Sequence, residues 1–169
     1  KFSSILFESL FFTGLSLFIM LWLGFQEAGL FSIFLTASSL VHRLEHLLNE
    51  NRHNIFVLQQ NPIQASMQTS IGILMIFLGS CTAYLILATS YSETDLSHLF
   101  GFIFESVKIE NSTLFTRQFS NLFNVFSHNL LVMLTLFMLC FFYRVYAALL
   151  TLGWNSCVWV IVLVSLTKR

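Results

Sequence analysis

The sequence predicts an all-α protein, a polytopic bundle of transmembrane helices without a soluble domain of its own. Hydrophobic residues occupy 56% of the 169 positions and charged residues only 9%, and the mean hydropathy is +0.79. A soluble domain carries about 25% charged residues, so a chain with so few charges cannot cover a water-facing surface. The apolar side chains must therefore face lipid as well as one another.

Five segments are long and apolar enough to cross a bilayer, which takes about 20 residues in a helix. In a single domain covering residues 1–169, these spans are predicted at 5–25, 28–48, 71–90, 122–142 and 145–166. The second and fourth spans are polar at one end. Gln26 and Glu27 separate the first two spans, which predicts a tight antiparallel hairpin. A break near Arg144 is required between the last two, because one continuous helix would be far too long for a single crossing.

The segments between the spans differ in character. Residues 49–68 are predicted to form a polar linker, which contains Pro62, the only proline. Within residues 91–118, apolar positions recur at helical spacing: Leu96, Leu99, Phe100, Ile103, Phe104 and Val107. This spacing predicts an amphipathic helix that lies on the membrane surface or caps the bundle. Small residues on the third span, at Gly72, Gly79 and Ser80, indicate close helix packing.

Polar side chains lie inside two predicted spans. They are Asn124, His128 and Asn129 in the fourth span and Asn155 and Ser156 in the fifth. Such side chains hydrogen-bond across helices or line a polar path for a substrate or ion. Helix packing is the preferred interpretation, because one histidine without a series of intramembrane charges argues against proton-coupled transport. Glu8, near the start of the first span, is expected at headgroup level close to Lys1.

A short pattern on the second span suggests zinc chemistry. His42, Glu45 and His46 match H-x-x-E-H, in which two histidines on one helix face bind zinc and the carboxylate acts as base. The alternative is an amphipathic helix end with solvated side chains. The nearest candidates for a third ligand are Glu93, Asp95 and His98, and the predicted topology places these on the opposite side of the membrane. No metal or other cofactor is therefore expected, and the absence of a basic run argues against a nucleic-acid partner.

Three segments resemble the stage II sporulation protein M family. Residues 126–132, FSHNLLV, resemble its F-x-N-N-L-x-V start of a membrane helix, and residues 149–156, LLTLGWNS, resemble the helix that follows. Residues 15–48 are similar to its first helical pair. The chain departs from the family at His128, which replaces an asparagine, and at 143–147, where glycines are usual. The resemblance implies a non-enzymatic membrane component that anchors or scaffolds partner proteins.

Three functions follow as hypotheses. The first is a multi-pass anchor or scaffold in the cell membrane, in contact with the lipid bilayer and with protein partners or further copies of itself. The second is a small permease or transporter-like subunit with a polar cavity. The third is a zinc-dependent membrane peptidase. The first is preferred because the sequence carries no complete catalytic constellation and because the family resemblance implies it.

Overall fold

The computed structural model describes residues 2–25, 27–103, 134–135, 138–139, 141 and 143–168. The longer helices and one short helix within these ranges are α1 (Phe2–Trp22), α2 (Ala28–Phe56), α3 (Pro62–Ser90), α4 (Glu93–Leu99) and α5 (Val145–Lys168). No strand occurs among the described residues, so the predicted all-α class is confirmed for them. Within the described ranges, three helices are long and apolar enough to cross a membrane: α1, α3 and the Val145–Ser165 part of α5.

Two apolar clusters define the two ends of the bundle. At one end, which we call the α4 end, Leu17 of α1 packs with Ile33 of α2, Tyr84 of α3 and Ile161 of α5. At the other, which we call the turn end, the cluster contains Ile5, Leu44, Ile76 and Leu149 from the same four helices. Residue numbers rise from the turn end to the α4 end in α1, α3 and α5, and fall in α2. Helix α2 is therefore antiparallel to the other three, as the predicted first hairpin requires.

The predicted polar linker at residues 49–68 is wrong for most of its length. Helix α2 continues through Phe56 and α3 already begins at Pro62, which leaves only residues 57–61 as the turn. Residues 49–56 are polar but contain no helix breaker. Proline is favoured at the start of a helix, because the backbone N–H groups of the first turn have no partner within the helix and the one that proline lacks is not missed. Pro62 therefore begins α3. Asn61 caps this start, since its side chain accepts a hydrogen bond from the Ile63 backbone N–H at 3.0 Å.

Helices α1 and α3 form the closest helix pair. A Cβ atom added at Gly79 would lie 2.6 Å from the Leu6 carbonyl oxygen and 2.8 Å from the Ser9 Cβ. Beside this contact, the buried Ser9 hydroxyl donates to the Ile76 carbonyl oxygen at 2.7 Å. The Ser80 hydroxyl lies 3.1 Å from that of Ser9, and it also bonds a second α1 hydroxyl. The predicted close packing at Gly79 and Ser80 is therefore confirmed.

The described part of the predicted amphipathic segment covers the α4 end of the bundle. Leu96, Phe100 and Ile103 are each at most 1% exposed. The ring of Phe100 lies against α2 so closely that a Cβ at Gly29 would overlap it. The described residues of this segment therefore pack against the bundle, and the amphipathic helix predicted within residues 91–118 stays a prediction. Phe104 and Val107 lie outside the described residues.

The break required near Arg144 is also found. Arg144 has a φ of 47°, the left-handed backbone conformation, and α5 begins at the next residue. A residue in this conformation interrupts a right-handed helix, because its backbone dihedral angles have the opposite sign to those of helical residues. The last described span therefore starts at Val145, as the sequence predicts.

Candidate functional site

One face of α2 carries a row of polar side chains in its second half. We call this row the polar face of α2; its members are His42, Glu45, His46, Asn49, Glu50 and His53, and they line an open groove of about 490 Å³. The spacing of three to four residues places them on one side of the helix. The opposite side of α2, including Leu40, Leu44 and Leu47, is buried in the bundle. Helix α2 therefore packs with one face and presents polar groups on the other.

This polar face begins at a depth where neighbouring helices expose apolar side chains. Ile5 of α1 and Leu44 of α2 share one cluster, so these parts of the two helices lie level with each other. At that level Phe7 is 66% exposed on α1, and Leu74 is 49% exposed on α3. Exposed apolar side chains on spanning helices face lipid, whereas polar groups at membrane depth face protein or water. The exposed apolar surface of α1 and α3 therefore suits lipid, whereas the polar face of α2 suits protein or water.

An ion pair links α1 and α2 beside the polar face. The Arg43 Nε atom lies 3.1 Å from a Glu8 carboxylate oxygen, and both side chains are partly buried, at 24% and 33% exposure. The expectation that Glu8 stays at headgroup level near Lys1 did not foresee this partner. Pairing with an opposite charge lowers the cost of holding each group within the membrane. The ion pair therefore fixes α2 against α1 at the start of its polar half.

The three residues of the zinc pattern lie on this face. His42, Glu45 and His46 are all exposed on one side of α2. The His46 Nδ1 atom lies 3.9 Å from a Glu50 carboxylate oxygen. Among the described residues, no group of three or more histidine, cysteine, aspartate or glutamate side chains is arranged to hold a metal ion. Asp95 and His98, proposed as distant ligands, belong to α4 at the other end of the bundle.

The polar residues predicted within the last two spans are only partly described. Asn124, His128 and Asn129 lie outside the described residues. Asn155 is exposed on α5, and its side-chain amide donates to the Thr151 carbonyl oxygen at 2.8 Å. Ser156 is buried, and its hydroxyl donates to the Gly153 carbonyl oxygen at 2.9 Å. These two bonds stay within α5 and do not join it to another helix.

Sequence reasoning missed the part of the polar face from Asn49 to His53 and the ion pair between Glu8 and Arg43. Asn49 and His53 were assigned to a linker, although they continue the spacing of His42 and His46 without a helix breaker. Glu8 and Arg43 lie equally far from the hairpin centre at residues 25–26, so an antiparallel pair of helices brings them level. These two signals are readable from the sequence once the hairpin is assumed.

Searches against protein-family models, curated proteins and solved structures find no match to this chain. The fold and the site are therefore described by their own geometry. The described residues form an all-helical bundle in which three helices can span a membrane and a fourth carries a polar face beside them.

Proposed function

We propose that this protein is a non-enzymatic, multi-pass anchor of the cell membrane that holds a partner protein against the polar face of α2. One observation carries the proposal: this face lies beside side chains suited to lipid, and most of its members are exposed in the part of the chain that the structure describes, namely His42, Glu45, His46, Asn49 and His53. Polar groups in an apolar surrounding gain most from hydrogen-bonding partners, because water is scarce there. A helix or loop of another protein, or of a second copy, meets that requirement.

The course of the helices supports the five spans predicted from the sequence. Helices α1 and α3 run in the same direction, so α2 between them supports a crossing in the opposite direction. Helices α3 and α5 are also parallel, which is compatible with the fourth span predicted at residues 122–142. Most of that span lies outside the described residues, and it stays a proposal. Together with α5, these crossings give five spans.

The resemblance to the stage II sporulation protein M family leads to the same function. That resemblance implies an anchor or scaffold, and the polar face of α2 gives such a protein a surface for its partner. The well-packed contact between α1 and α3 suits a fixed support, because its small residues leave little room for the helices to slide. A scaffold needs this rigidity more than an internal path.

A crosslinking experiment in native membranes tests the proposal. A photoreactive p-benzoylphenylalanine is placed at Glu45 on the polar face, and a control is placed at Leu85, a half-exposed apolar position of α3. We expect a protein adduct at position 45 and lipid adducts at position 85. The charge-reversed variant Glu45→Lys should lose the partner on purification, whereas Gln64→Lys, at an exposed position away from this face, should retain it.

Other outcomes identify the competing functions. Lipid adducts at position 45 and an unchanged partner set in Glu45→Lys would contradict the anchor proposal. A permease instead predicts that cysteines at His42 and His53 both react with a membrane-impermeant thiol reagent while no protein adduct forms. A peptidase predicts stoichiometric zinc in the purified protein and its loss in His46→Ala.

A further inference from the structure

The turn between α2 and α3 exposes an unusual number of large apolar side chains. We call this group the turn tip; it consists of Phe56, Val57, Leu58, Ile63 and Met67, which are 79%, 64%, 54%, 78% and 62% exposed. They lie within twelve consecutive positions, on the last residue of α2, the turn and the first turns of α3. Contiguous exposed apolar side chains mark a surface that contacts another apolar phase.

The sequence around the turn tip lacks acidic residues, lysine and arginine. No aspartate, glutamate, lysine or arginine occurs between Arg52 and Glu93. The polar residues around the turn tip are amides instead, including Gln59, Gln60 and Asn61. A loop in open water normally carries charges, whereas amides beside apolar side chains suit the boundary between lipid headgroups and acyl chains. There the amides bond headgroup oxygens and the apolar side chains enter the hydrocarbon edge.

The length of α3 puts the turn at this boundary. Helix α3 has 29 residues, which at the helical rise gives a length of about 43 Å. A bilayer with both headgroup layers is about 40–45 Å thick. The far end of α3 is followed by Tyr91, and Trp22 ends the parallel helix α1 at the same end of the bundle. Tyrosine and tryptophan favour the membrane interface, so the turn reaches the opposite headgroup layer.

We infer that the turn tip is an interfacial anchor that inserts into the headgroup–acyl boundary of the bilayer that α1, α3 and α5 cross. The molecule that the turn tip contacts is the lipid of this bilayer. Because the turn tip carries no charge, the insertion does not depend on anionic lipids or on ionic strength. This inference is separate from the partner docking proposed for the polar face of α2, since it uses different residues at a different level.

Site-directed spin labelling in phosphatidylcholine vesicles tests the inference on the full chain. The native cysteines are replaced by alanine, and a nitroxide is attached at Ile63→Cys. Matched labels at Thr94→Cys, exposed on α4 beyond the far end of α3, and at Leu78→Cys, half-exposed near the middle of α3, report the water-side and hydrocarbon references. We expect the label at position 63 to collide more often with oxygen than with a water-soluble nickel chelate, at a depth between the two references. Added salt and added phosphatidylglycerol should leave that depth unchanged.

Two results would overturn the inference. A mobile label with collision rates like those of position 94 would place the turn tip in water. An immobile label reached by neither reagent would mean that protein, either a partner or a second copy, covers it. If the cysteine-free chain fails to fold, p-benzoylphenylalanine at Phe56 in the otherwise unchanged chain replaces the label. A lipid adduct then supports the inference, and a protein adduct or no adduct refutes it.

Discussion

The contact between α1 and α3 predicts a large effect from a single methyl group. In Gly79→Ala, the new Cβ would lie 2.6 Å from the Leu6 carbonyl oxygen and 3.0 Å from the Leu10 backbone nitrogen. These are backbone atoms, so no side-chain rotation relieves the clash. The two helices must separate by about 0.8 Å to reach ordinary van der Waals contact.

This separation weakens the hydroxyl contacts beside the glycine. The Ser80 hydroxyl lies 3.1 Å from that of Ser9 and 3.2 Å from that of Thr13, and both distances would exceed the range of a hydrogen bond. Hydrogen bonds between membrane helices contribute about 0.6 kcal/mol each, and overpacking costs about 1–3 kcal/mol. The better helix propensity of alanine offsets about 1 kcal/mol. We therefore expect Gly79→Ala to lower the free energy of unfolding by about 1–3 kcal/mol.

The assay is reversible unfolding by sodium dodecyl sulfate in dodecyl maltoside micelles, followed by far-ultraviolet circular dichroism. Gly14→Ala is the matched control on α1, because a Cβ built at Gly14 meets no atom of another described helix within 4 Å. The control should keep or slightly raise the stability. If Gly79→Ala is as stable as Gly14→Ala, the described contact between α1 and α3 does not exist in the protein.

The same assay checks three further changes. Glu8→Gln and Arg43→Gln in a double-mutant cycle should show a coupling energy of about 1 kcal/mol, since the partly exposed pair is screened; a value near zero would mean that the two groups do not meet. Ser80→Ala should cost about 1 kcal/mol through its lost interhelical bonds, whereas exposed Ser90, which bonds only its own helix, should tolerate alanine; equal effects would refute the hydroxyl network. Gln59 has a φ of 50°, so Gln59→Gly should stabilise the turn by up to about 1 kcal/mol and Gln59→Val should destabilise it. The reverse order would exclude the left-handed turn.

Sequence patterns predicted the parts of the fold that depend on local chemistry. Apolar length identified α1, α3 and α5, and small residues identified the contact at Gly79. The break at Arg144 followed from the limit that bilayer thickness sets on one crossing. The polar stretch at residues 49–56 was misassigned, because polarity was taken as a sign of a linker although nothing there breaks a helix. Polarity reports the surroundings of a helix and not its presence.

The candidate site was harder to predict because it depends on how helices lie beside one another. The sequence singled out His42 and His46 but not their surroundings. That they lie level with exposed Phe7 follows only from the packing of α1 against α2. Similarly, the partner of Glu8 is 35 positions away along the chain. Such a contact leaves no periodic signal, and the equal distances of Glu8 and Arg43 from the hairpin centre indicate it only once the hairpin is assumed.

The two faces of α2 have different roles: the apolar face stabilises the bundle, and the polar face is the proposed binding surface. Its apolar face, with Leu40, Leu44 and Leu47, is buried against the bundle, and burial of such side chains contributes most of the energy that holds a helix in place. Most side chains of the polar face, among them His42, Glu45 and His46, are exposed instead, and the anchor proposal assigns them to another molecule. A helix that were apolar all round would be equally well packed but could offer only lipid-like contacts. Under the anchor proposal, the polarity that makes α2 less apolar than α1 and α3 is therefore the property that lets the bundle recognise a specific partner.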